Sequence, residues 1–237
     1  MRILIVLLLT CSFSATGSGA IAQTADEIIQ KHIQAIGGTD NWNKVKAIKL
    51  TGTASQMGMD IKIIQTISDE KGCRTDIIAG GQKGFIIVTP AEGWTFIPFG
   101  GMQIQPRKMP DDELKMTLEK MKYKNSQLTD KSCILQATME GIDTINGQSC
   151  YKIKVKGKQG INQICFIDTK TYYMDKVISL NKSGDEIMEL AITYGNYMQQ
   201  AEGITLPMTI TTTEGSVYFK TAEINPVIDN KIFAPEN

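Results

Sequence analysis

The sequence predicts a mainly β protein of the α+β class, in which one large, curved antiparallel sheet forms an incomplete barrel and helices cover its concave face. Three observations carry this. From Val45 onward, about a dozen short segments show apolar residues at every second position, with turn residues between them. Helical spacing is confined to one stretch before the strands and one in mid-chain, an order that argues against alternating parallel βα units. A single sheet with so many strands curls strongly.

The chain opens with Arg2, an apolar run from Ile3 to Leu9 and small residues ending in Ala20-Ile21-Ala22. This pattern predicts a cleaved signal peptide over residues 1–22, a mature start at Gln23 and export to the periplasm. An alternative reads Leu8-Leu9-Thr10-Cys11 as a lipoprotein box that would leave Cys11 acylated and the protein anchored. No apolar run approaches the roughly 20 residues of a membrane-spanning helix. Residues 23–237 read as a single domain, with no linker, internal repeat or low-complexity stretch dividing them.

Thr24-Ala25-Asp26-Glu27 has the capping-box pattern of a helix start. Ile28, Ile29, Ile33 and Ile36 follow helical spacing, and Gly37-Gly38 ends the helix. Strands are expected near 45–55, 58–68, 73–79, 83–89, 93–98, 132–140, 149–156, 161–168, 173–181, 186–198, 204–213 and 216–225. The alternation is clearest in Ile204, Leu206, Met208 and Ile210 against Thr205, Pro207 and Thr209. Tyr151, Ile153 and Val155 alternate in the same way with Lys152, Lys154 and Lys156, giving one dry and one wet face. Between them, Pro110-Asp111-Asp112-Glu113 starts a second helix, whose stripe of Leu114, Leu118 and Met121 runs to about Tyr123.

Lys+Arg and Asp+Glu both number 25, and loss of Arg2 leaves 24 against 25. This balance speaks against a nucleic-acid partner. The spacings of Cys73, Cys133, Cys150 and Cys165 match no zinc site, and no metal or other cofactor is expected. Cys150 and Cys165 fall on consecutive strands as a near-diagonal pair, either a disulfide or two buried thiols. His32 is the only histidine and sits beside the apolar stripe of the first helix, far from any nucleophile motif. A hydrolase triad has no other base to use. Asp111, Asp112 and Glu113 are accounted for by the helix dipole, and Gly80-Gly81 and Gly100-Gly101 lack the context of a phosphate loop. No catalytic residues are expected, and the chain reads as a non-enzyme.

One stretch departs from this pattern. Trp94, Phe96, Ile97, Phe99 and Met102 crowd ten residues punctuated by Gly93, Pro98, Gly100 and Gly101. Either they close the core under the second helix, or they border an apolar cavity with Met57, Met59, Met116 and Met121, whose unbranched side chains adapt to floppy ligands. An acyl chain of about fifteen methylenes at ~0.8 kcal/mol each would gain on the order of ten kcal/mol on burial there, before ordering costs. The lining expected of such a cavity or its lid is Trp94, Phe96, Phe99, Met102, Leu114, Leu118, Met121, Ile29 and Ile33.

Several segments in order resemble the LolA/LolB-like lipoprotein carriers: the first helix leading into residues 45–53, the strand-and-turn pieces at 84–94, 147–155 and 166–173, Tyr194-Gly195-Asn196-Tyr197, and residues 203–210. The resemblance spans about Thr24 to Pro235. It implies an incomplete barrel whose apolar concave face receives the acyl chains of lipoproteins, or other lipid, in transit toward the outer membrane. It also implies peripheral or transient membrane contact and an envelope transport partner. Carriers of this kind use a basic residue on an early strand to control closure. The nearest arginine here is Arg74, and the local sequence does not transfer that role to it. A non-catalytic envelope module that binds a protein partner is the alternative.

Overall fold

The computed structural model describes residues 23–56, 59–101, 103–120, 124, 127–158, 162–183 and 186–236. Helices α1 (Ala25–Ala35) and α2 (Thr39–Lys44) come first. Strands β1 (Ala47–Gln56), β2 (Met59–Ser68), β3 (Gly72–Ala79), β4 (Gln82–Val88), β5 (Gly93–Phe96) and β6 (Arg107–Lys108) follow. After helix α3 (Asp111–Lys120) come β7 (Ile134–Ile145), β8 (Gln148–Gly157), β9 (Asn162–Asp168), β10 (Met174–Ser183), β11 (Glu186–Gln199), β12 (Thr205–Thr212) and β13 (Gly215–Ile224). All thirteen strands form one antiparallel sheet in the order β6-β5-β4-β3-β2-β1-β13-β12-β11-β10-β9-β8-β7. It is two meanders joined where β1 pairs with β13, from Ile48 opposite Ile224 to Ala54 opposite Val217. The sheet does not close: β6 and β7 are its edges, and the curled sheet is an incomplete barrel.

The twelve expected strands are present. The thirteenth, β6, is too short to carry an alternation, and the six-residue α2 is too short to carry a helical period. The capping box of α1 forms as its residues dictate: Glu27 N–H donates to Thr24 Oγ1 at 3.2 Å and Thr24 N–H to a Glu27 carboxylate oxygen at 2.9 Å.

The face that carries the helices is the inner one. Ile28, Ile29 and Ile33 of α1 pack there on Ile153, Cys165, Ile167, Met174 and Val177. Trp42 of α2 packs with Ile48, Leu50, Leu206 and Met208, and its indole N–H is held by Ile36 O at 3.0 Å. The described residues 109–120, 124 and 127–133 stand between the two sheet edges, β6 and β7. They are tied down by Lys124 Nζ on Val45 O and Asp69 at 2.6 Å each, by Lys131 on Asp26 at 3.0 Å, and by buried Leu128. Among the described residues no helix is long and apolar enough to cross a membrane.

Candidate functional site on the inner face

Strand parity decides which side chains reach the inner face, because successive residues point to opposite sides. Across β1 to β5 the inner residues fall into rows. Nearest α2, Ile48, Ile67, Cys73, Val88 and Gly93 are all buried. In the next rows burial gives way: Gln65, Thr75, Ile86, Ile63 and Ile77 are only half-buried. Register sets Ile63 beside Ile77 and Thr75 beside Ile86, while Gln65 Nε2 reaches Thr75 Oγ1 at 3.5 Å. The result is a shallow aliphatic trough with one polar pair in its floor.

Two glycines bring its rim close. A Cβ on Gly84 would lie 2.6 Å from Phe96 O and 3.2 Å from Phe99 Cε2, so the chain after β5 lies directly on the inner face and places Phe99 beside the trough. A Cβ on Gly93 would lie 2.6 Å from Met109 Sδ and 3.1 Å from Leu114 Cδ1, which seats the start of α3 at the same end. A bidentate pair between Arg107 and Glu113, at 2.8 and 2.9 Å, staples β6 to the first turn of α3. The guanidinium holds the Glu113 carboxyl below its usual range.

The expected lining is thus brought together only in part. Phe99, Leu114 and Leu118 are half-buried: Phe99 lies beside the trough, Leu114 lies over Gly93 in the buried row next to it, and Leu118 follows on α3. Ile29 and Ile33, at 0% and 1% exposure, are packed core. Met102 and Met121, with Met57, lie outside the described residues, as do the side chains of Met59 and Met116.

Trp94 and Phe96 require correction. Gly93 and Thr95 take the inner positions of β5, so Trp94 and Phe96 point outward, paired with Ile87 and Phe85. There the C-terminal tail covers them: Ile228, Ile232 and Phe233 pack on Phe85, Ile87, Trp94 and Phe96. Arg74, 4% exposed, pins that tail. Its guanidinium donates to Asp76 at 2.8 Å, Ile232 O at 2.7 Å and Glu236 at 2.6 Å, and lies over the Phe85 ring. Arg74 therefore serves the outer face, away from the helices.

The disulfide reading is also corrected. Cys150 stands opposite Asp168 and Cys165 opposite Ile153, so the two thiols are three residues out of register and on opposite faces. Both are free. Burial pushes each up to about 12, Cys150 with help from Asp175, and neither is a nucleophile at neutral pH.

Two buried polar groups were not legible as site residues. His32 is fully buried, with Nδ1 2.8 Å from Tyr172 O and Nε2 2.9 Å from Gln127 O. Gln163, 3% exposed, faces inward between Val155 and Ser179, and its Nε2 has no partner among the described residues. Among the described residues no three His, Cys, Asp or Glu side chains converge as a metal site requires.

No family model matches the chain, and no curated protein matches it. Solved structures do. A LolA superfamily protein from Nitrosomonas europaea superposes with a TM-score of 0.50 at 12% identity, over 90% of this chain and 99% of that one. A DUF1329 family protein from Desulfovibrio piger gives 0.50 at 11% identity, over 88% and 96%. Identity this low speaks to fold alone, and the fold of the chain is LolA/LolB-like.

Proposed function

We propose that residues 23–237, after loss of the 1–22 leader, act in the periplasm as a non-catalytic carrier. The protein holds acyl chains of lipoproteins or related lipids for transfer toward the outer membrane. The observation that carries this reading is the trough of Ile63, Ile77 and Ile86: aliphatic side chains left half-exposed on the inner face, beside a row of Ile48, Ile67, Cys73 and Val88 that is buried. Apolar surface of this kind on a concave face is a place for an apolar ligand, and Phe99 and α3 stand where a movable rim would be. Gln163 adds a donor inside the same face.

The test is lipid extraction and mass spectrometry of protein purified from the periplasm, with uptake of a fluorescent fatty acid. The expected result is stoichiometric lipid, with Ile77→Glu folded and empty. Protein that is empty as purified and takes up no added lipid would remove the carrier reading. A non-catalytic envelope interaction module is the second reading, favoured by the tight packing of Ile29 and Ile33 against the sheet. It is tested by recovery of a stoichiometric protein partner.

A further inference from the structure

The outer face of β8 carries Lys152, Lys154 and Lys156, and register fixes their surroundings. On β7, Gln136 stands opposite Lys156 and Thr138 opposite Lys154. These four side chains line a hollow of about 190 Å³. Lys152 has an acid within reach, Glu140 at 3.6 Å, whereas Lys154 and Lys156 make no ion pair among the described residues. In a chain whose basic and acidic side chains number 25 each, this is a local excess of positive charge.

Lysines near a free strand edge are accounted for by protection against edge-to-edge pairing. That does not explain a concave hollow in which two unpaired ammonium groups are bracketed by an amide and a hydroxyl. Such donors match the oxygens of a phosphate. Three features favour a lipid surface over a free ion. The hollow is open and its lysines are exposed, without the buried charge that holds a small anion in solution. Alternate lysines about 7 Å apart can engage neighbouring headgroups. Leu135, 67% exposed in the bulge next to Gln136, offers an apolar side chain at the rim.

We propose that this hollow binds the headgroup phosphate of anionic phospholipids and is the surface by which the protein docks on a membrane. The carrier reading explains why the protein would meet a membrane, but the two fail separately: docking is read with vesicles, and cargo uptake with a soluble fatty acid.

The experiment is flotation of the mature chain with phosphatidylcholine vesicles, with and without phosphatidylglycerol. Binding is expected only with phosphatidylglycerol and is expected to weaken with salt. At ~1 kcal/mol for each lysine near an anionic surface, Lys154→Gln/Lys156→Gln should lose about 30-fold in partitioning while fatty-acid uptake stays unchanged. Lys62→Gln/Lys220→Gln, equal in charge but remote, should keep its binding. Equal losses in both double variants would reduce the effect to net charge and overturn the site. So would inorganic phosphate perturbing the Lys154 and Lys156 ammonium signals in a protein that ignores the vesicles.

Discussion

His32 faces two carbonyl oxygens with a ring that, when neutral, carries one N–H. Burial pushes its pKa below the usual value, and the carbonyls of Gln127 and Tyr172 oppose that shift without overcoming it. Its folded pKa being the lower one, the unfolded chain takes up the proton first. Stability is then fully present above about pH 6.5 and is lost as pH falls from there toward the folded value. As the only histidine, it should dominate the pH dependence of the denaturation midpoint between about pH 7 and 5. His32→Gln, which does not titrate, should flatten that slope, and an unchanged slope would assign it elsewhere. Gln163 poses the complementary case of a donor without an acceptor. Gln163→Leu should stabilise the empty protein by about 1–2 kcal/mol in urea titrations, since the cost of the unpaired amide disappears. If that amide meets a lipid carbonyl, the same variant should bind a fatty acid more weakly. The sequence showed His32 beside an apolar stripe and Gln163 on a strand, but the groups facing His32 are 95 residues away for Gln127 and 140 for Tyr172. No local pattern encodes such contacts.

Elements were far more legible than the site they build. Strands of seven or more residues announce themselves by period two, and a helix such as α1 by its cap and its isoleucines; both signals are local. Assigning side chains to the inner face needs the parity of each strand, and reading residues 93–102 as one apolar cluster loses it. Gly93 was the available clue, since a residue without a Cβ in the middle of aromatic neighbours marks a close approach, here by Met109 and Leu114. The two glycines at the rim separate by the nature of the obstacle. At Gly84 an added side chain meets backbone, Phe96 O, together with Pro98 and Phe99, and Gly84→Leu should cost about 2–3 kcal/mol. At Gly93 it meets the flexible ends of Met109 and Leu114, so Gly93→Leu should displace α3 at smaller cost. Limited proteolysis distinguishes them: cleavage within residues 109–133 should accelerate in Gly93→Leu well before global unfolding. Equal protection of that segment in variant and parent would mean that α3 is held by other contacts.

At the scale of the whole molecule, an open sheet has two faces to satisfy, and this chain uses its ends to do so. The N-terminal helices cover the inner face, and the C-terminal tail covers the outer face of β3 to β5. The outer contact has an apolar part, Ile228, Ile232 and Phe233, and a charged clasp in which Arg74 and Lys83 share Glu236. These respond differently to conditions. Lys83 and Glu236 are half-exposed, so salt screens their pair, whereas the bond from Arg74 to Ile232 O is shielded. Lys83, and after it Arg74, hold the Glu236 carboxyl below its usual range, so its contribution is complete above about pH 4.3 and is lost as pH falls through the lowered value. Tail docking should therefore persist in high salt, loosen in acid, and weaken most when the guanidinium fork is removed. Arg74→Lys keeps the charge but cannot reach Asp76, Ile232 O and Glu236 at once. It should cost about 2 kcal/mol and speed amide exchange at Ile232 and Ala234, whose N–H groups are bonded within the tail. Trp94, under the same tail, should shift its emission to the red in step with that exchange. If the Ile232 and Ala234 amides stay as protected as in the parent, the apolar contacts alone hold the tail and the clasp is dispensable.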